Sequence, residues 1–120
     1  MDIFNKIVSR NIGTDYADGV VLYKSGEKPE HIFSVISGEV NLYTKEGKKV
    51  LTIGKGNFVG LDYLFNTDYR GFTAITNGPT KLIKLEKKLL TQRIHQDPSL
   101  AFKILSDVSY RYRTIIANIS

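Results

Sequence analysis

The feature that most narrows the fold is the spacing of glycine-centred breakers between residues 19 and 86. Short alternating or β-branched runs occupy Val20–Tyr23, Ile32–Ile36, Val40–Tyr43, Val50–Ile53, Phe72–Thr76 and Leu82–Leu85. They are cut by Ser25-Gly26, Ser37-Gly38, Glu46-Gly47, Gly54-Lys55-Gly56 and Asn77-Gly78-Pro79. Runs this short bury one face as strands but are too brief to be stable helices. Glycine supplies the backbone freedom that tight reversals need. Lys45-Glu46-Gly47-Lys48 between alternating runs reads as a hairpin. Many short strands at this spacing predict a sandwich or jelly-roll barrel.

Helical patterns flank this zone. Residues 2–10 read as a short helix, with Asp2 as cap and Ile3, Phe4, Ile7 and Val8 on one face. Residues 87–119 read as helical. Leu89, Leu90 and Ile94 make a short amphipathic piece, and Asp97-Pro98 then starts a long helix with Asp as N-cap and Pro in the first turn. Leu105, Val108, Tyr112, Ile115 and Ile119 step by 3, 4, 3 and 4 along it. That is an a/d seam of about two heptads. It can pack on the β zone or on a second copy of the chain. A homodimer through this helix is the expected arrangement, with Arg111 and Arg113 flanking the seam. The whole is read as one domain, residues 1–120: helix 2–10, β roll 19–86, C-terminal helices 87–119.

Inside the β zone, Phe58, Leu61, Leu64 and Phe65 recur at helical spacing, so one or two helical turns interrupt the sheet after Gly60. Free amides at the start of such a turn can cradle an anion.

Composition excludes several classes of function. With 120 residues and no Cys, the chain lacks disulfides, thiolate metal sites and cysteine nucleophiles. No apolar run approaches membrane-spanning length, and residues 1–10 contain no signal-peptide core. A cytoplasmic setting is expected. The net charge is +5. Lys81, Lys84, Lys87, Lys88 and Arg93 concentrate the excess, but no aromatic residue is interleaved to stack bases, so a solvated face is the reading there. His31 and His95 are the only histidines, too few for a metal site of cupin type. Asp15 with Asp18, and Asp62 with Asp68, read as turn and cap residues. No nucleophile triad, phosphate loop or catalytic carboxylate pair is present, so no enzymatic activity is expected.

Four segments together resemble the cyclic-nucleotide-binding domain family, the sensor half of catabolite-activator and FNR-type regulators. They are Gly19–Glu27, Ile32–Val40, Ile53–Gly60 and Phe72-Thr73-Ala74, followed by the long helix after Asp97-Pro98. The resemblance runs from about Val20 to Ile119. It implies a mainly β fold: a jelly roll of the double-stranded β-helix type with a short N-terminal helix and a long C-terminal helix pair.

The resemblance also implies a ligand cassette, here Gly60, Leu61, Asp62, Tyr63, Arg70, Phe72, Thr73 and Ala74. In the family a Glu after the Gly-Phe-x-Gly pattern holds the ribose, and an Arg before a Ser/Thr-Ala pair holds the cyclic phosphate. Those positions are Leu61 and Phe72 in this chain. Arg70 lies two residues before Phe72, about 7 Å along a strand but on the same face, from where it would reach the pocket. Asp62 would repel phosphate, and Gly60-Leu61-Asp62 is closer to the FNR-type pattern. Purine contacts would fall near Ile116 and Ala117, with Thr114 close by.

The expected function is therefore a non-enzymatic sensor or regulatory module with an altered pocket and no predicted cofactor. Its ligand would be a less charged molecule, or none if Phe72 fills the site. The alternatives are the sensor half of a longer transcription regulator, or a true cyclic-nucleotide binder that uses Arg70. No recognition helix follows within the chain, so DNA binding by this chain alone is not expected, nor is membrane association.

Overall fold

A computed structural model describes residues 13–65 and 68–119. The helix expected over residues 2–10 lies outside them. The order of elements is β1 (Thr14–Tyr16), β2 (Val21–Tyr23), β3 (Ile32–Tyr43), β4 (Lys49–Ile53), β5 (Phe58–Val59), a 3-10 segment (Leu61–Phe65), β6 (Thr73–Leu85), α1 (Lys87–Gln96) and α2 (Pro98–Ile119).

All the pairings are antiparallel and centre on two long strands. β3 and β6 pair with each other, β4 and β5 add to β3, and β1 and β2 add to β6. Each long strand serves two partners at different points. β6 meets β2 at Ala74 and Ile75 and β1 at Thr80–Leu82, while β3 meets β5 at Phe33 and Ser34 and β4 at Val40–Tyr43. This is the folded-over ribbon of a jelly roll, as the sequence pattern predicts.

Two expected breaks proved not to be turns. Ser37-Gly38 and Asn77-Gly78-Pro79 lie within β3 and β6, where the register shifts between Val35 and Ser37 and again between Ser37 and Glu39. Gly38 has φ +85° and Gly78 φ +78°. These are bulges, which bend a strand pair without ending it. A Cβ on Gly38 would sit 2.6 Å from the Pro79 carbonyl oxygen and 2.8 Å from the Thr80 Cα, so the two backbones meet there. Sequence marks such glycines as breakers because a bulge and a turn demand the same backbone freedom.

The core has two parts. Tyr23, Phe33, Val35, Val40, Leu42, Val50, Ile53, Val59, Ala74 and Leu82 fill the roll. Ile32, Phe58, Leu61, Ile83 and Leu85 join Leu90, Leu100 and Ile104 of the helices in the second. The cap at Asp97 forms as expected: its Oδ1 accepts from the Ser99 amide at 3.1 Å and the Ser99 hydroxyl at 2.5 Å. Near the far end of α2, Asn118 Nδ2 donates to the Val50 carbonyl at 2.8 Å and ties the helix to β4.

The expected helix seam is divided. Val108 and Ile115 pack on the two core clusters, whereas Leu105 is 58% and Tyr112 66% exposed. The side chain of Ile119 lies outside the described residues. No helix among the described residues is long and apolar enough to cross a membrane.

Candidate functional site

The insert between β5 and β6 is organised around Arg70. Its side chain is 2% exposed. Nη1 donates to the Gly60 carbonyl at 3.0 Å and to Asp62 Oδ1 at 2.7 Å, and Nη2 donates to the His31 carbonyl. The guanidinium carbon lies 4.0 Å from the Tyr23 ring centroid, a cation–π contact. Gly60 has φ +88°, and a Cβ there would fall 2.6 Å from Arg70 Nη1, so the side chain fills the space directly beneath this glycine. The Arg70 backbone is fixed too, donating to the Glu27 carbonyl and accepting from the Gly26 amide, each at 2.8 Å.

This corrects the expectation for Arg70. β6 begins only at Thr73, so the strand geometry that would carry Arg70 to the face of Phe72 does not extend back to it. The side chain turns beneath the insert, where two carbonyls, a carboxylate and an aromatic ring engage it. Asp62 is correspondingly no free repelling charge but the partner of Arg70. The amides after Gly60 belong to a 3-10 segment of five residues, with the Tyr63 amide bonded to the Gly60 carbonyl at 3.2 Å. Tyr63 stacks on Lys87 of α1, 5.2 Å from ammonium to ring centroid.

Leu61 and Phe72 do not close the pocket. Both line a cavity of about 370 Å³ between the roll and α2. Leu42, Leu51 and Ile53 form its floor, the Gly60–Asp62 turn one side, and Val108, Arg111, Tyr112 and Ile115 its roof. Thr73 and Ala74 stand apart from it. The Thr73 hydroxyl accepts from the Ser25 amide at 3.0 Å, and Ala74 is fully buried in the roll. Ile116 and Ala117 are exposed and do not line the cavity, and the Thr114 hydroxyl donates to the Tyr110 carbonyl at 2.9 Å.

Two wall residues escaped the sequence reading. Tyr23 appeared there only as a strand residue, yet it lines the cavity and its ring lies against Arg70. Burial, with the Asp62 charge adding, pushes its phenol well above the usual range, so it is a neutral donor at any physiological pH. Arg111 appeared only as a residue flanking the seam. Burial lowers its pKa from the ordinary arginine value, opposed by Asp107 one turn before it and by Tyr23. The spacing of Arg111 from Val108 and Ile115, three and four residues, was the available signal that it shares their face.

The described residues thus form an antiparallel roll with a short helical insert, closed by a long helix over a cavity. The model of the cyclic nucleotide-binding domain family matches residues 14–97. The chain belongs to that family.

Solved structures agree on the fold. The c-di-GMP-responsive regulator CLP of Xanthomonas campestris superposes with a TM-score of 0.79 at 19% identity, over 95% of this chain and 60% of that one. The catabolite activator protein of Thermus thermophilus gives 0.75 at 20% identity, over 97% and 56%. An EAL enzyme gives 0.65 at 16% identity, over 84% and 94%. The chain thus spans about three fifths of the length of the two regulators. No curated protein sequence matches it significantly.

Proposed function

We propose that this is a regulatory sensor domain whose pocket is not built for a cyclic phosphate. The observation that carries the reading is the engagement of Arg70. The arginine nearest in sequence to the phosphate position is held by Gly60, His31, Asp62 and Tyr23, and Phe72 occupies the position before Thr73-Ala74. A cyclic nucleotide at the position of Phe72 and Leu61 would lack the arginine and glutamate that hold it in the family pattern, and Arg70 does not replace them. Redirecting Arg70 to it would break three hydrogen bonds, the one to Asp62 among them. The role is non-enzymatic, in keeping with the regulatory character of the family. Among the described residues no three His, Asp or Glu side chains gather as a metal site.

Titration calorimetry with cyclic AMP, cyclic GMP and cyclic di-GMP tests this directly. No binding at micromolar concentration is the expected result for all three. Micromolar binding of any one overturns the reading and restores Arg70 as a phosphate ligand.

The signal would leave through α2. Val108, Arg111, Tyr112 and Ile115 contact the cavity, so a ligand that favours one pose of this helix shifts its population. On its outer side Phe102, Leu105, Ser109, Tyr112 and Ile116 step by 3, 4, 3 and 4, and Phe102 is 76% exposed. That spacing fits self-pairing of α2 in a homodimer, along a stripe that keeps Leu105 and Tyr112 of the seam the sequence marks. Light scattering should give a dimer mass for the chain and a monomer mass for F102E/L105E. A monomer at high micromolar concentration in the unaltered chain would refute the pairing.

A further inference from the structure

The cavity under α2 is mostly apolar. Leu42, Leu51, Phe72 and Ile115 form much of its wall, and apolar surface dominates. At about 370 Å³ it falls within the range of small-molecule sites. Two residues with donor groups line it, Arg111 and Tyr23, whose phenol is neutral.

Arg111 differs from Arg70 in what holds it. No hydrogen bond and no ion pair within 4 Å engages its guanidinium among the described residues. Asp107 acts on it only through its field. A partly desolvated guanidinium beside an apolar cavity is stabilised by an anion that brings two acceptor oxygens, because planar fork and carboxylate match in geometry. A second negative charge finds no second cation in the described lining, because Arg70 is already engaged by Asp62. A neutral apolar occupant would desolvate Arg111 further without compensation.

We propose that the cavity binds a small apolar monocarboxylate, its carboxylate on Arg111 and the Tyr23 hydroxyl and its hydrocarbon against Leu42, Leu51, Phe72 and Ile115. This rests on the reading above that the cavity is a ligand site not built for cyclic phosphate.

The test is calorimetry with octanoate and benzoate against their neutral counterparts, octanol and benzamide, with cyclic AMP as a separate arm. The carboxylates should bind, and the neutral compounds should bind about 10- to 100-fold more weakly, as expected for loss of a charged hydrogen bond. R111Q should bring the carboxylates down to the level of the neutral compounds. Its melting curve and far-UV circular dichroism should remain those of the parent, since Arg111 holds nothing else in place. L51W, which fills the floor, should abolish binding of every probe. A preference for octanoate over benzoate, or the reverse, identifies the chain or ring form of the ligand.

Equal binding of carboxylates and neutral compounds overturns the carboxylate inference and leaves an apolar sensor pocket standing. Micromolar cyclic AMP with silent carboxylates overturns both readings. Silence from every probe overturns the inference.

Discussion

Replacing Arg70 by Ala is expected to destabilise the fold by about 3–5 kcal/mol, the cost of removing one partner from a buried ion pair. The Arg70 side chain is 2% exposed, so water does not replace it. Its loss removes one donor from the Gly60 carbonyl and one from the His31 carbonyl, and takes from Asp62 its cation. Asp62, at 31% exposure, can rehydrate, which places the effect toward the lower end of that range. R70K should recover only a minor part, because a lysine has no planar fork to serve three acceptors at once. Urea unfolding provides the measurement: the midpoint should fall, with the slope retained if the transition remains two-state. A loss below about 1 kcal/mol, typical of an exposed pair, would show that Arg70 is not part of the framework. The same variant is therefore a poor control for nucleotide binding, since it alters the insert as well as the pocket.

The second large effect is expected at Gly38. G38A places a Cβ 2.6 Å from the Pro79 carbonyl oxygen and 2.8 Å from the Thr80 Cα, both backbone atoms. It also forces alanine to φ +85°. Left-handed backbone costs a non-glycine residue about 1–2 kcal/mol, and overpacking adds about 1–3 kcal/mol. A total of about 2–5 kcal/mol is expected by urea unfolding. Gly47 offers the contrast. It has φ +94° in a hairpin with nothing within 4 Å of a Cβ, so G47A should cost only the backbone part, about 1–2 kcal/mol. Equal losses at the two sites would show that the approach of β3 and β6 at the bulge carries no extra penalty.

The candidate site was legible in part. The Gly60 turn, the altered positions Leu61 and Phe72, and the cassette as a region could all be read from residue order. The partner of Asp62 could not. It depends on a side chain eight residues further on folding back beneath a glycine, and nothing in local spacing reports that. The state of the pocket was equally hidden. Phe72 in place of an arginine is compatible with a filled site or an apolar one, and the choice depends on where α2 lies relative to β4. The helix seam shows the same limit. Its period is legible, but the face that meets the roll is chosen by Val108, Ile115 and the Asn118 bond to Val50.

By itself the sequence determined the elements and their type: a β roll broken by glycines, a helical insert after Gly60, a capped helix from Asp97-Pro98, and a chain without thiols. These follow from local backbone preference and hydrophobic period, which act over a few residues. The tertiary structure alone decided that two glycine breaks are bulges in long strands, that Arg70 is bound beneath the insert, and that Arg111 is left over an open apolar cavity. Each of those outcomes depends on which distant groups compete for one donor or one volume, and that competition is resolved only when the strands, the insert and α2 are packed together.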